Sequence, residues 1–218
     1  MPRALFEKTG KAIYISHLDL MRVFQRSFKR AGLPLTHTQG FSPRPSVSIA
    51  LPLSVGVESR CELLDFDLDG EMVSCEEIKD RLNEALIEGV RVLEIYPDGR
   101  KQRDIALLDC VVKMDYDTQL PVNAVSQMEN LFAQASLNVE KKGKNGIVQQ
   151  DVIPLIRKLS VNREEGSIIL KARICCQNPA LNPMQLVAAI ELYLPELKPD
   201  FAQVTRMEIY DVNENVFR

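Results

Sequence analysis

The chain has 218 residues, 45% hydrophobic and 26% charged, with no Trp. That length and balance describe an ordinary globular protein with a mostly aliphatic core, and argue against a disordered chain. No apolar run approaches the ~18 residues of a membrane span, and the N-terminus lacks the pattern of a secretory signal, so the expected location is the cytoplasm. The net charge of −3 conceals a strong asymmetry. Residues 1–60 carry nine Lys/Arg and three Asp/Glu, a local +6, whereas residues 61–120 carry 7 bases and 16 acids. Local field governs the attraction of a polyanion, so the basic first quarter is where such a partner is expected.

In chain order, residues 3–15 read as one or two strands about Lys8-Thr9-Gly10, ending in the β-rich run 12–15. Ser16-His17-Leu18-Asp19 then matches a capping box. The helix that follows sets Leu20, Met21, Phe24, Phe28 and Ala31 on one side, and Gly32 and Pro34 stop it. Residues 35–45 break any period. Val47, Ile49, Leu51 and Leu53 alternate with smaller residues as a half-buried strand. Leu64, Phe66 and Leu68 alternate with Asp65, Asp67 and Asp69 as another. A helix over 74–89 and a strand over 90–96 complete the first half, and residues 100–104 form a polar connector.

The second half repeats this order more loosely. It has a strand over 105–116, a helix over 122–135, and a strand over 137–142 before the turn Gly143-Lys144-Asn145-Gly146. A hairpin follows over 155–162 and 167–176, then a helix opened by Asn182-Pro183 and a strand over 204–212. Residues 147–158 fit either a short helix or a bent strand. The expected fold is α+β, two tandem ferredoxin-like (βαββαβ) halves with antiparallel sheets. The basic N-terminal domain is 1–99 and the C-terminal domain 105–218.

On the first helix, Arg22, Arg26, Lys29 and Arg30 recur at i, i+4, i+7 and i+8, opposite the apolar side. A solvated helix face explains bases there, but such faces usually mix signs, and only Asp19 opposes these four. An unopposed basic stripe suits a phosphate backbone. The segment Gln39-Gly40-Phe41-Ser42-Pro43-Arg44 adds a glycine that permits close backbone approach, a proline-braced arginine, and an aromatic. Phe41 either stacks on a base or plugs the core beneath its own loop. RNA is therefore the expected ligand, and Arg22, Arg26, Lys29, Arg30, Gln39, Gly40, Phe41, Ser42 and Arg44 the expected contacts.

Signals for catalysis are sparse. His17 falls on the apolar side of the helical wheel and reads as a structural histidine or a general base, while His37 lies in the polar loop. Nothing near His37 in sequence completes a catalytic pair. Asp65, Asp67 and Asp69 share one strand face, which suits either solvent or Mg²⁺. The cysteines Cys61, Cys75, Cys110, Cys175 and Cys176 make no C-x-x-C pair and are expected as reduced thiols. No metal or cofactor site is expected.

Phe6-x-Lys8-x-Gly10, Ile15-Ser16-His17-Leu18-Asp19-Leu20-x-Arg22, Arg30-Ala31-x-Leu33-Pro34 and Gly40-Phe41-Ser42-Pro43-x-Pro45 resemble the bacterial radical SAM-associated (radical SAM-linked) uncharacterised proteins. Leu53-x-x-Gly56, Glu62 followed by Asp65, and Val204-Thr205-Arg206 continue the likeness over most of the chain. The resemblance implies a separately encoded radical SAM enzyme as partner, which carries the iron–sulfur cluster. A looser likeness of element order connects the chain to CRISPR-RNA-processing endoribonucleases. The expected function is a non-catalytic accessory presenting structured RNA, tRNA or rRNA, to that enzyme. The alternatives are a metal-independent endoribonuclease using His17 or His37, and a protein–protein adaptor.

Overall fold

The computed structural model describes residues 1–70, 73–143 and 146–218. The chain is α+β, with four α-helices among the described residues, and it divides into two compact units. The first comprises Met1–Asp104 with Phe217–Arg218, and the second Ile105–Val216.

In the first unit, β1 (Arg3–Lys8) leads through a 3-10 turn (Gly10–Tyr14) to α1 (His17–Arg30). There follow β2 (Val47–Ile49), β3 (Glu58–Phe66), α2 (Cys75–Ala85) and β4 (Val90–Tyr96). The strands run β4-β1-β3-β2, each pair antiparallel. Both helices bury one apolar side against this sheet. Phe24 of α1 meets Phe6 of β1 edge-on at 4.7 Å between centroids, and Phe28 meets Phe66 of β3 at 5.0 Å. Ile78 and Leu82 of α2 complete the same core.

Three expectations for this unit change. The run 12–15 is not a strand, because the buried Lys8 ammonium donates to the carbonyls of Ile13 (3.1 Å) and Ile15 (2.7 Å), and those carbonyls are thereby turned inward. The alternating run from Val47 is a strand only to Ile49, with one further bond from the Ala50 N–H to the Leu63 carbonyl at 2.9 Å, before Pro52, which has no N–H for a ladder; Leu51 and Leu53 remain buried. Asp65 is neither solvated nor a metal ligand. It is buried against Arg3, which donates to both of its carboxylate oxygens at 2.5 and 2.9 Å.

The second unit is built from β5 (Leu107–Asp115), α3 (Ala124–Phe132), β6 (Asn138–Gly143), β7 (Gly146–Asp151), β8 (Ile156–Glu164), β9 (Ser167–Cys175), α4 (Met184–Tyr193) and β10 (Phe201–Tyr210). Its main sheet runs β10-β5-β9-β8, again antiparallel, and β6–β7 is a separate hairpin. The ambiguous stretch 147–158 resolves into β7, a 3-10 turn at Ile153–Leu155, and the start of β8. Lys144 and Asn145 of the expected 143–146 turn lie outside the described residues. Asn182 caps α4 as its sequence suggests: its side chain accepts the Met184 N–H at 3.0 Å.

A boundary drawn along the chain at 100–105 misses one feature. Phe217, fully buried, returns to the first unit beneath the guanidinium of Arg3, 5.1 Å from its ring centroid.

Candidate nucleic-acid interface on the first unit

The site is built from α1 and the segment after it. Ser16 Oγ accepts the Asp19 N–H at 3.2 Å and donates to the Asp19 carboxylate at 2.7 Å. That carboxylate turns to the Ser16 hydroxyl and to Arg22 (2.7 Å), where a capping box would return it to the Ser16 amide. Both bonds hold the Asp19 carboxyl below its ordinary pKa, the Ser16 hydroxyl contributing most. At the other end the Leu33 N–H reaches the Phe28 carbonyl at 3.0 Å and the Gly32 N–H reaches Lys29 at 3.3 Å. With Gly32 at φ +66°, this is a complete Schellman stop, and the buried Leu33 follows it over Phe28.

After the helix the chain forms a narrow extended ribbon. Leu35 bridges Leu68, and His37 bridges Pro45. The Thr36 N–H donates to the Asp67 carbonyl (3.0 Å), and the Ser46 N–H to Thr36 (2.8 Å). The Thr38 N–H donates to the Arg44 carbonyl at 2.9 Å, while the Arg44 N–H returns to Thr38 Oγ1 at 3.1 Å. Residues 39–43 are thus the tip of a closed loop. Gly40 takes φ +140°, which side-chain-bearing residues avoid, so the tip bends where a glycine stands. Phe41 is fully exposed at 113% relative accessibility, so it plugs no core. Gln39, Ser42 and Arg44 are exposed with it.

The four helix cations separate into three situations. Arg22 is exposed but paired with Asp19. Arg26 and Lys29 are exposed, and among the described residues neither side chain has a hydrogen bond or ion pair, which is also true of Arg44. Arg30 is diverted: its guanidinium bonds the Ser27 hydroxyl (3.1 Å) and the Ala85 carbonyl at the end of α2. Arg30 therefore ties two helices together and leaves the expected stripe.

Lys29, His37 and Pro45 line one groove, which joins the basic side of α1 to the ribbon. Gln25, Phe28, Leu33 and Leu35 also line it, and pattern reading picked out none of these as site residues. Gly32 and Pro34, read only as helix stops, were the local sign that the chain folds back there. His17 is half-buried at the start of α1, its Nδ1 enclosed without a hydrogen-bond partner. His37 stands apart from it in sequence, on the ribbon, where it lines the groove. No cluster of three His, Cys, Asp or Glu side chains suited to a metal occurs among the described residues.

Fold and site together define an α+β protein with a cationic helix face and an aromatic-tipped loop on its first unit. The chain belongs to the family described as an uncharacterized protein conserved in bacteria (DUF2344), which matches residues 2–183. No curated protein matches it. Among solved structures, a chain of a Cbf5-Nop10-Gar1 complex is similar in fold, with a TM-score of 0.53 at 9% identity, covering 95% of this chain and 48% of that one. This chain thus spans about half the length of that relative. An unknown protein from Galdieria sulphuraria aligns over 97% of both chains at 11% identity with a TM-score of 0.27. No helix among the described residues is long and apolar enough to cross a membrane.

Proposed function

We propose that the protein is a non-catalytic RNA-binding accessory that presents a structured RNA, tRNA or rRNA, to a separate radical SAM enzyme in the cytoplasm. The observation that carries the RNA half is Phe41, fully exposed at the tip of a loop closed by Thr38 and Arg44. Burying an aromatic ring is normally favourable, so a loop that holds one out in water beside the unpaired Arg44 suits a base that stacks and a phosphate that neutralises. Arg26, Lys29 and Arg44 supply the cations. The reading treats each unit as a ferredoxin-like fold, supported by the β-α-β-β-α-β order of the first unit and, in both, by an antiparallel main sheet in which the first strand lies between the last two; the second unit adds the β6–β7 hairpin. The partner enzyme rests on the resemblance carried by the Ser16–Asp19 and Gly40–Pro45 blocks.

The test is binding of total cellular RNA across a salt series. Arg26→Ala and Lys29→Ala should each flatten the log–log slope by about 1. Arg30→Ala should flatten the slope less, because that guanidinium is held on the Ala85 carbonyl. RNA incubated with the protein in EDTA should stay intact. Absence of binding at low salt would end the RNA reading. Recovery of a radical SAM enzyme with the protein should be lost after nuclease treatment, and recovery that survives both nuclease and high salt would make the protein an adaptor instead.

A further inference from the structure

We infer that the groove between the C-terminal end of α1 and the ribbon is a binding site for one nucleotide, a base with its phosphate attached. It rests on the RNA reading for its natural source, and extends it from a surface that attracts a backbone to a site that takes a particular unit. The groove has a volume of about 430 Å³, within the ~300–1,000 Å³ of small-molecule sites.

Its floor is apolar and fixed. Phe28, Leu33 and Leu35 are 0%, 1% and 9% exposed, so they present edges to the groove and have no freedom to fill it. Phe28 is braced by Phe66, Leu33 by the Schellman bonds, and Leu35 by its bridge to Leu68. A preformed site has little conformational entropy to lose when a ligand enters.

Its rim is polar in three distinct ways. The Gln25 amide offers donors and an acceptor, matching the edge of a base. His37 adds a planar ring to the lining. Lys29 is an ammonium with no acidic neighbour bonded to it among the described residues. An uncharged apolar guest would cover this rim and desolvate Lys29 without compensation, which is costly. A guest with a flat apolar body and an anionic end satisfies floor and rim together.

The probes are AMP, GMP, CMP and UMP, the four corresponding nucleosides, and inorganic phosphate, each titrated into the full chain while the methyl resonances of Leu33 and Leu35 are followed. At least one monophosphate should shift those methyls saturably, its nucleoside more weakly, and phosphate not at all. Gln25→Trp, at a half-exposed helix position, should weaken that nucleotide at least tenfold. The same variant should weaken total-RNA binding while leaving its salt slope unchanged, because no phosphate contact is removed. If no monophosphate moves the methyls although RNA still binds, the groove is not a nucleotide site and the RNA surface stands without it. If phosphate alone moves them as far as the monophosphates do, the base plays no part and the proposal is overturned. If monophosphates bind and RNA does not, the groove takes a free nucleotide and the RNA reading fails.

Discussion

Arg3 shows what a single residue decides. A guanidinium with 1% exposure is tolerable only when its charge is paired, and here it grips Asp65 twice, donates to the Arg100 carbonyl at 2.7 Å, and lies over Phe217, while its Nη1 is enclosed without a hydrogen-bond partner among the described residues. Asp65→Asn leaves that charge enclosed and poorly compensated, so the unfolding free energy from urea titration should fall by ~3–5 kcal/mol. Phe41 is the opposite case. Its ring touches solvent, so Phe41→Ala should change stability by no more than about 0.5 kcal/mol, while RNA affinity should drop by ~1–3 kcal/mol if the ring stacks on a base. A pair of measurements that moved together would show that Phe41 serves the fold.

At the scale of the element, α1 is bracketed at both ends by signals within a few residues of its own termini. Removing the Ser16 cap by Ser16→Ala should cost ~1 kcal/mol. Gly32→Ala forces a side chain to φ +66° and should cost roughly 1–2 kcal/mol. Thermal unfolding followed by circular dichroism reads both, and the chain has no Trp to report by fluorescence. Arg30 and Ser27 together satisfy the Ala85 carbonyl at the end of α2, where a helix leaves its last carbonyls without internal partners. Arg30→Ala should therefore lower the melting temperature, in contrast to Arg26→Ala, whose side chain bonds nothing. The ribbon after α1 has no regular period, and it is ordered by the pairing of Thr36, Leu35 and His37 with residues up to 33 positions away.

At the scale of the whole molecule, the two units repeat one strand order but distribute charge differently. In the second unit, burial pushes the Asp109 carboxyl up, but hydrogen bonds from Arg173 and Tyr210 outweigh it and leave the pKa below its ordinary 3.8. Bonds from Lys158 and then Arg173 hold Glu214 below its ordinary 4.5. Carboxyls whose folded pKa lies below the unfolded value stabilise the fold above the unfolded value, and that contribution fades as pH falls through the folded one. The second unit should therefore lose stability as pH falls below about 4. Asp109→Asn should shrink the difference between urea unfolding at pH 7 and at pH 3. An undiminished difference would place the acid sensitivity elsewhere.

The amino-acid order alone determined what depends on short range. The start, stop and two sides of α1, the 90–96 strand, the Asn182 cap and the hairpin before it were all legible, because capping and periodicity act within one or two turns. The exposed cations Arg26, Lys29 and Arg44 were legible for the same reason. Tertiary structure decided the rest: that Lys8 would bend 12–15 out of a strand, that Asp65 would be buried, that Arg30 would leave its stripe, and that Gln25, Leu33, Leu35 and His37 would share a groove. The partners of Asp65 and Arg30 lie 62 and 55 residues away. A charged residue reads the same on a solvated strand face as in a buried pair, and only packing brings the second charge that makes burial tolerable.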